Sequence, residues 1–388
     1  MPDLVCAHCG AVAVSRCVRC KSAFYCRRKC QKFHWSRGGH KQRCAPVTSA
    51  AGTHAEAQER AAFDTPANRH EVWKAATKGA GPVLSSLIAR GAGVNWRDPQ
   101  FGSTALYTAA YQGHSVCVRL LLDAGADKEV MSTVDCTPLF VAAGNGHDAV
   151  VRMLLDAGAD KDRRGANGTI PLFVAAEKGH EVSVRMLIKA GADKERAQNE
   201  GCTPLCVAAE SGHDRVVRAL LAAGADKDRQ TNNGWSPLLF AASEGHGAVA
   251  RTLIDAGADK DHANQDGCTP LLFAAQGRHD AIALMLLDAG ADKNLATTAD
   301  GVAPLFMAAQ MGSAAVVRAL LDAGADLSKK TRDGRTALDA AMNSPTTTPE
   351  VGELIMQAIA AQAVAVGYQP DDLQGLAGFV EPFVGSDA

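Results

Sequence analysis

Residues 137–168 read TPLFVAAGNGHDAVVRMLLDAGADKDRRGANG, and variants of this stretch recur along most of the chain. Segments related to its opening begin at Thr104, Thr137, Ile170, Thr203, Ser236, Thr269, Ala303 and Thr336. Successive starts lie 33 residues apart, except for one spacing of 34 between Thr269 and Ala303. A fixed period of this length is typical of solenoids, in which each repeat buries its apolar side only against its neighbours.

The repeated stretch predicts two short helices followed by a projecting turn. Thr-Pro opens the first helix, because proline is tolerated in a first turn, where its missing N–H group has no helical partner. Gly146 ends this helix, and the apolar residues of VVRMLLDAG form the buried side of the second. Gly158 stands where a helix end requires a positive φ, and ADKDRRGANG is expected to form the turn.

This pattern resembles the ankyrin repeat from about residue 70 to residue 366. A degenerate unit beginning near Glu71 precedes the regular ones, so the resemblance implies about nine units, of which the first and the last are atypical. The histidine of the family's TPLH motif is absent, which predicts the loss of a polar link between turns. Its position is occupied by Tyr107, Phe140, Phe173, Cys206, Leu239, Leu272, Phe306 and Asp339.

The resemblance implies that proteins bind to the concave face, which is formed by the turn tips and the exposed side of the first helices. The register assigns Phe101, Ser103, Tyr111 and Trp235 to this face. Trp235 is the sharpest candidate, because equivalent positions carry no aromatic residue and exposed tryptophan is enriched at binding hot spots. The alternative is that Trp235 packs on a neighbouring turn. Polar residues of the face lean acidic, which favours a basic or mixed-charge partner.

Two other polar rows recur with the repeats. Each lysine of the first row follows an aspartate and most precede an acidic residue, so we predict a solvated row rather than a nucleic-acid groove. The histidines of the second row are predicted to belong to the repeat framework, not to a metal site. The rows are Lys128, Lys161, Lys194, Lys227, Lys260 and Lys293, and His114, His147, His180, His213, His246 and His279.

The first 44 residues differ in composition from the rest. They carry ten Lys and Arg residues and one acidic residue, Asp3, although the whole chain has a net charge of −2. Seven of the twelve cysteines also lie there. The start MPDLVCAHCG shows no signal peptide, and no later stretch is apolar for the ~18 residues of a membrane helix. We therefore expect an intracellular protein, cytoplasmic or nuclear, whose clustered cysteines bind metal.

The spacing of these cysteines is C-x2-C-x7-C-x2-C-x5-C-x3-C-x9-H-x3-C. Seven thiols and one imidazole suffice for two tetrahedral zinc sites. The pairs Cys26/Cys30 and His40/Cys44 are each four residues apart, which places both side chains of a pair on one helix face. Spacing alone leaves the division of the ligands between the two sites open.

These residues resemble the MYND zinc finger. The resemblance rests on C6-x2-C9, C17-x2-C20, Y25-C26, C30-Q31, W35 and H40-K41-x2-C44. It implies two structural zinc ions, one held by Cys6, Cys9, Cys26 and Cys30, the other by Cys17, Cys20, His40 and Cys44. Because Gly38 and Gly39 lengthen the last spacing, His34 is an alternative to His40. The resemblance also implies a shallow groove for short proline-containing peptides, lined by Gln31 and Trp35.

The sequence thus predicts a mostly α-helical ankyrin-repeat solenoid at 70–366, preceded by a two-zinc finger at 1–45 and a linker at 46–69, with a flexible tail at 367–388. Eight ligands leave no open coordination position for catalysis, and no P-loop pattern is present. No segment of ~100 residues remains for a SET methyltransferase domain. We therefore predict a non-enzymatic adaptor for proteins, with no membrane partner. The basic segment keeps a nucleic-acid-associated transcriptional regulator as the alternative.

Overall fold

The computed structural model describes residues 58–345 and 347–365, together with two short strands near the N-terminus. Strand β1 (Ser15–Arg16) pairs antiparallel with β2 (Phe24–Tyr25), so that Ser15 lies opposite Tyr25. The longer described parts fall into two compact units. One comprises 58–69 and Ala89–Gly93, and the other comprises His70–Ile88 and 94–365.

In the first unit, residues 58–63 are helical and a carboxylate fixes the turn that follows them. Asp64 accepts hydrogen bonds from both the Arg69 guanidinium, at 2.7 and 2.8 Å, and the Gly93 N–H group, at 2.6 Å. The Arg90 guanidinium lies 3.8 Å from the centre of the Phe63 ring. The predicted linker at 46–69 therefore contains helical residues from 58 onward, while its residues 46–57 lie outside the described part.

From Pro66 onward, the described α-helices come in pairs. The first helices of the pairs are α1 (Pro66–Thr77), α3 (Ala105–Tyr111), α5 (Pro138–Gly144), α7 (Pro171–Glu177), α9 (Pro204–Glu210), α11 (Pro237–Ser243), α13 (Pro270–Gln276), α15 (Pro304–Met311) and α17 (Ala337–Asn343). The second helices are α2 (Gly81–Ala89), α4 (Ser115–Asp123), α6 (Asp148–Asp156), α8 (Glu181–Lys189), α10 (Asp214–Ala222), α12 (Gly247–Asp255), α14 (Asp280–Asp288), α16 (Ala314–Asp322) and α18 (Pro349–Ala365). The predicted helical solenoid is thereby confirmed.

The Thr-Pro motif forms the helix starts as predicted. Thr137 is the N-cap of α5, its hydroxyl oxygen accepts a bond from the Phe140 N–H group at 3.2 Å, and Pro138 occupies the first helical turn. Neighbouring first helices pack on one another, and so do neighbouring second helices. Leu139 and Leu172, two residues into their helices, are fully buried between the repeats. The core is therefore a continuous apolar layer that no single repeat could form.

The histidine row joins consecutive repeats. The Nε2 atom of His213, for example, lies 2.9 Å from the carbonyl oxygen of Glu177 at the end of the preceding first helix. Gly179 lies beneath this ring with a φ of +76°, and a Cβ atom there would lie 2.7 Å from Nδ1 of His213. The row consists of His114 to Thr77, His147 to Tyr111, His180 to Gly144, His213 to Glu177, His246 to Glu210 and His279 to Ser243.

A second row of inter-repeat bonds explains the acidic residues that follow the lysines. The Asp162 carboxylate accepts a hydrogen bond from the Asp193 N–H group of the next repeat at 2.9 Å. Equivalent bonds run from Asp160 to Glu129, Asp226 to Glu195, Asp259 to Asp228 and Asp292 to Asp261. Lys161 pairs with Asp162 at 3.4 Å, so positive charge on this row is balanced locally. Among the described residues, no helix is long and apolar enough to cross a membrane.

Candidate functional site

Backbone hydrogen bonds join the projecting turns into a ladder, except between the turns at Val134 and Asn167. Within one turn, the Thr231 N–H group donates to the Trp235 carbonyl at 2.9 Å. Between turns, the Asn232 N–H group donates to the Glu200 carbonyl of the preceding repeat, also at 2.9 Å. The equivalent inter-turn bonds are Thr133 to Phe101, Asn199 to Asn167, Gln265 to Asn233, Thr298 to Asp266 and Arg332 to Asp300. The turns are therefore linked through their backbones, although the TPLH histidine is absent.

The residues that replace that histidine fill the space beneath the turns. Phe173 and Leu239 are buried, and the Cys206 thiol donates to the Arg229 carbonyl at 3.4 Å. Cys202 lies beside Cys206, and the interaction with that thiol, together with burial, raises the pKa of Cys202. Both cysteines are thus packed parts of the framework rather than exposed thiols.

Two of the predicted partner-binding residues are exposed on the first regular repeat. Phe101, at a turn tip, is 52% exposed, and Tyr111, at the end of α3, is 49% exposed. Val134 at the next turn tip is exposed as well. Ser103, also assigned to the exposed face, is instead buried, and its hydroxyl accepts a bond from the Trp73 indole N–H group at 3.2 Å.

Trp235 belongs to a cluster of three aromatic rings. Its ring centre lies 5.0 Å from that of Phe240 and 4.9 Å from that of Phe273, which is the equivalent residue of the next repeat. All three residues, here called the aromatic cluster, are partly exposed. Trp235 therefore packs against rings of two first helices and also presents surface to solvent. Its role in partner binding stays a prediction.

The sequence reasoning missed Phe240 and Phe273. Both occupy the fourth position of a first helix, where the other repeats carry Thr108, Val141, Val174, Val207, Met307 and Ala340. At this position, phenylalanine occurs only in these two consecutive repeats, and Trp235 is the sole tryptophan at the pre-helix position. The combination was the signal that could have revealed the cluster. Rings of this size at such separations prefer tilted or offset packing, which the 37° interplanar angles provide.

Three carboxylates lie at the ends of the first helices. Glu177 and Glu210 are the last residues of α7 and α9, and Glu244 directly follows α11. Burial raises the pKa of Glu210, and the negative charges of Glu244 and Glu177 raise it further. These three residues are here called the carboxylate row. Lys178 pairs with Glu177 at 2.8 Å, so the negative charge that has no ion pair among the described residues lies on Glu210 and Glu244 and attracts cations.

The proposed metal ligands lie outside the described residues, as do Gln31 and Trp35. This applies to Cys6, Cys9, Cys17, Cys20, Cys26, Cys30, His40 and Cys44. In the part of the chain that is described, no group of three or more His, Cys, Asp or Glu side chains could hold a metal ion. The repeat histidines are accordingly bonded to carbonyl groups, as the framework interpretation requires.

A stack of helix pairs with rigid turns and a varied exposed face defines a repeat scaffold for molecular recognition. The chain matches the family described as Ankyrin repeats (3 copies) over residues 72–165, 160–231 and 220–297, and the Ankyrin repeat over 300–332. It also matches the MYND finger over residues 6–44. The chain belongs to the ankyrin-repeat family and carries a MYND zinc finger at its N-terminal side. Both are interaction domains, and the MYND finger is a zinc-binding domain.

Individual proteins resemble separate parts of the chain. The ankyrin repeat domain of human ASB11 is 27% identical, with a TM-score of 0.52 over 57% of this chain and 98% of that domain. Ubiquitin carboxyl-terminal hydrolase 15 of Arabidopsis thaliana is 47% identical over 60 residues, which are 16% of this chain and 6% of the hydrolase. Hydrolase 16 of the same plant is 49% identical over 43 residues, or 4% of its length. This chain therefore spans only a small fraction of the two hydrolases, within the MYND region.

Proposed function

We propose that the chain is a non-enzymatic adaptor that holds one protein on the ankyrin array and another on the MYND finger. The observation that carries the proposal is the contrast between a repeated framework and exposed residues that differ from repeat to repeat. We assign the finger to 1–45, the connecting segment to 46–69, the array to 70–366 and the tail to 367–388.

The concave face supplies the first binding site of the proposal. Phe101, Tyr111 and Trp235 offer aromatic surface on a rigid backbone ladder, so little conformational entropy is lost when a partner orders them. Large aromatic residues of this kind dominate the binding energy of protein interfaces. A protein partner is thus favoured over a small molecule, which would require an enclosed cavity.

The finger supplies the second binding site. We propose two structural zinc ions, with Cys6, Cys9, Cys26 and Cys30 on one and Cys17, Cys20, His40 and Cys44 on the other. Four protein ligands fill each tetrahedron, which leaves no position for a catalytic water. Gln31 and Trp35 would then contact short proline-containing peptides, as the family resemblance implies.

A second function, association with nucleic acid in transcriptional regulation, is favoured by one observation. Residues 1–44 carry ten basic side chains against one acidic side chain, and such a patch attracts phosphate. Either function places the protein inside the cell, in the cytoplasm or the nucleus. The adaptor is the better-supported proposal, because the array carries no comparable basic face among the residues described.

The test is affinity capture from cell extract with the full chain, followed by mass spectrometry of the captured proteins. Cys26→Ser should remove one set of partners and Trp235→Thr another, while Val116→Ala, on an exposed second helix, should remove none. Identical losses in the first two variants would contradict a two-site adaptor. Captured proteins that disappear after nuclease treatment of the extract would instead favour the nucleic-acid function.

Zinc content is tested separately by native mass spectrometry of the full chain. We expect two zinc ions in the wild type and loss of at least one in Cys26→Ser. One ion or none in the wild type would overturn the two-site assignment, whatever the capture experiment shows.

A further inference from the structure

Resting on the proposed binding function of the concave face, we infer that the aromatic cluster and the carboxylate row together bind an arginine or lysine side chain of a basic protein segment. The structure supports this inference through the placement of the two groups. Phe240 lies within α11 and Glu244 directly follows that helix, four residues later. Residues with this separation lie on the same helix face, about 6 Å apart along the axis. Aromatic surface and negative charge are thus adjacent on one helix.

The cluster has open faces for a cation. Trp235, Phe240 and Phe273 are each partly exposed, and no lysine or arginine of the described residues lies over any of the three rings. Among those residues, the Trp235 indole N–H group also has no hydrogen-bond acceptor, which leaves a donor for a partner's backbone carbonyl. A partly exposed ring with a carboxylate on the same helix, here Glu244, attracts a guanidinium or ammonium group both by its quadrupole and by charge.

A cation–ring contact also occurs elsewhere in the array, at a buried ring. Arg335 occupies the position equivalent to Trp235, and its guanidinium carbon lies 5.4 Å from the centre of the Phe306 ring, at the third position of a first helix. The Nε atom of Arg335 also pairs with Asp333 at 2.6 Å. The chain therefore supplies its own cation to an aromatic ring near the end of the array.

Charge complementarity selects the class of partner. The carboxylate row already repels itself, since Glu177 and Glu244 raise the pKa of Glu210. A partner cation relieves this repulsion, whereas a phosphate backbone would increase it. Glu200 and Asp266 at nearby turn tips extend the negative potential to the other end of the first helices. The occupant is thus a basic peptide segment and not a nucleic acid.

The experiment selects a phage-displayed library of random short peptides on the immobilised full chain. Peptides enriched on the wild type should contain arginine or lysine, and Trp235→Thr should lower their enrichment at least about tenfold. Threonine is chosen because Thr169 fills the equivalent position of another repeat, so the framework accepts it. Val116→Ala is the control, because Val116 is exposed on a second helix outside the concave face, and it should retain the basic peptides.

The affinity of the best peptide is then measured to separate the contributions of its cation, the carboxylates and the Trp235 ring. Replacing its arginine by the neutral isostere citrulline should weaken binding by about tenfold, and the double variant Glu210→Gln/Glu244→Gln should make the affinity less dependent on salt. Trp235→Phe, which keeps a ring, should bind more tightly than Trp235→Thr. Circular dichroism and the thermal midpoint confirm that each variant is folded.

The outcomes distinguish this inference from the proposed function. Peptides without basic residues, or basic peptides that Trp235→Thr retains, would overturn the inference and leave the concave face as a binding surface. Failure to enrich any peptide on the wild type would count against both. Self-association of the wild type that disappears in Trp235→Thr would assign the cluster to a second copy of the chain and would also overturn the inference.

Discussion

The two rows of residues that border the first helices behave in opposite ways, although both recur with the repeats. At the C-terminal side, histidine occupies six consecutive repeats and each ring bonds to the preceding repeat. At the N-terminal side, the residue before the helix changes from buried Ser103 to partly exposed Trp235 and exposed Arg335. The first row is fixed by contacts between repeats, and the second is free to vary.

This difference explains how one framework can carry a specific surface. The bonds that hold neighbouring repeats together involve backbone groups, histidine rings and the acidic residues after the lysines. None of them requires the ring of Trp235 or the carboxylate of Glu244. Residues of the concave face can therefore change while the repeats stay folded, so substitutions in the framework should affect stability more than substitutions on that face.

The largest effect is expected where the framework has no space. Gly179→Ala would place a Cβ atom 2.7 Å from the His213 ring and force alanine into a left-handed conformation. We expect a loss of about 2–4 kcal/mol in the free energy of unfolding, measured by urea titration. Gly158→Ala is the control, because its φ is similarly positive but nothing lies within 4 Å. Equal losses in the two variants would show that the histidine contact contributes nothing.

A smaller loss is expected when the ring itself is removed. His213→Ala deletes the hydrogen bond to the Glu177 carbonyl and leaves that acceptor partly buried. We expect a cost of about 1–2 kcal/mol in the same titration. His213→Gln retains a side-chain donor and should recover part of the loss. If His213→Ala unfolds at the same urea concentration as the wild type, the hydrogen bond to Glu177 does not stabilise the array.

The acidic residues that follow the lysines should contribute less to the free energy of unfolding, since their hydrogen bonds are exposed. Asp162→Ala removes the acceptor for the Asp193 N–H group, at a cost of about 1 kcal/mol. Asp162→Asn should be nearly neutral, because Asn294 forms the equivalent bond to Asp326 at 2.9 Å in another repeat. Thermal melts of both variants check this, and an equally large effect of asparagine would mean that charge, not hydrogen bonding, is what matters.

The smallest effect is expected on the concave face. Because the pKa of Glu210 is raised in the folded array, the folded state binds the proton more tightly than the unfolded state. Stability is therefore gained as pH falls and lost as pH rises through that pKa. Glu210→Gln should remove this dependence and raise stability at neutral pH by less than about 0.5 kcal/mol. Melting temperatures across the acidic range provide the measurement, and a clear destabilisation at neutral pH would contradict the separation of framework and surface.

The fold was predictable because its information is local and repeated. Thr-Pro starts, left-handed glycines and the 33-residue period each report on contacts between adjacent repeats, and the structure confirms the solenoid that they imply. Exposure at the pre-helix position was harder to predict. Ser103 and Trp235 are equivalent in register, yet Trp73 covers the first, while the second depends on which rings stand in the next repeat.

The aromatic cluster could not be derived from the repeat pattern for the same reason. Its contacts cross from one repeat to the next, and they depend on side-chain orientation at Phe240 and Phe273 rather than on period. The turn ladder was missed because it is made by backbone groups, which carry no residue-specific signal in the sequence. Sequence reasoning thus identified Trp235 but not its surroundings.

The turn between Thr297 and Val302 shows where the chain tolerates a change in length. It closes with a bond between residues five apart, at 3.0 Å, whereas the turn at Thr231 closes with a bond between residues four apart. The added residue accounts for the spacing of 34, yet Thr298 still donates to Asp266 and Arg332 still donates to Asp300. Turn tips are therefore natural grafting points: an epitope tag or a foreign recognition loop inserted there would extend outward while the helices on either side kept their register.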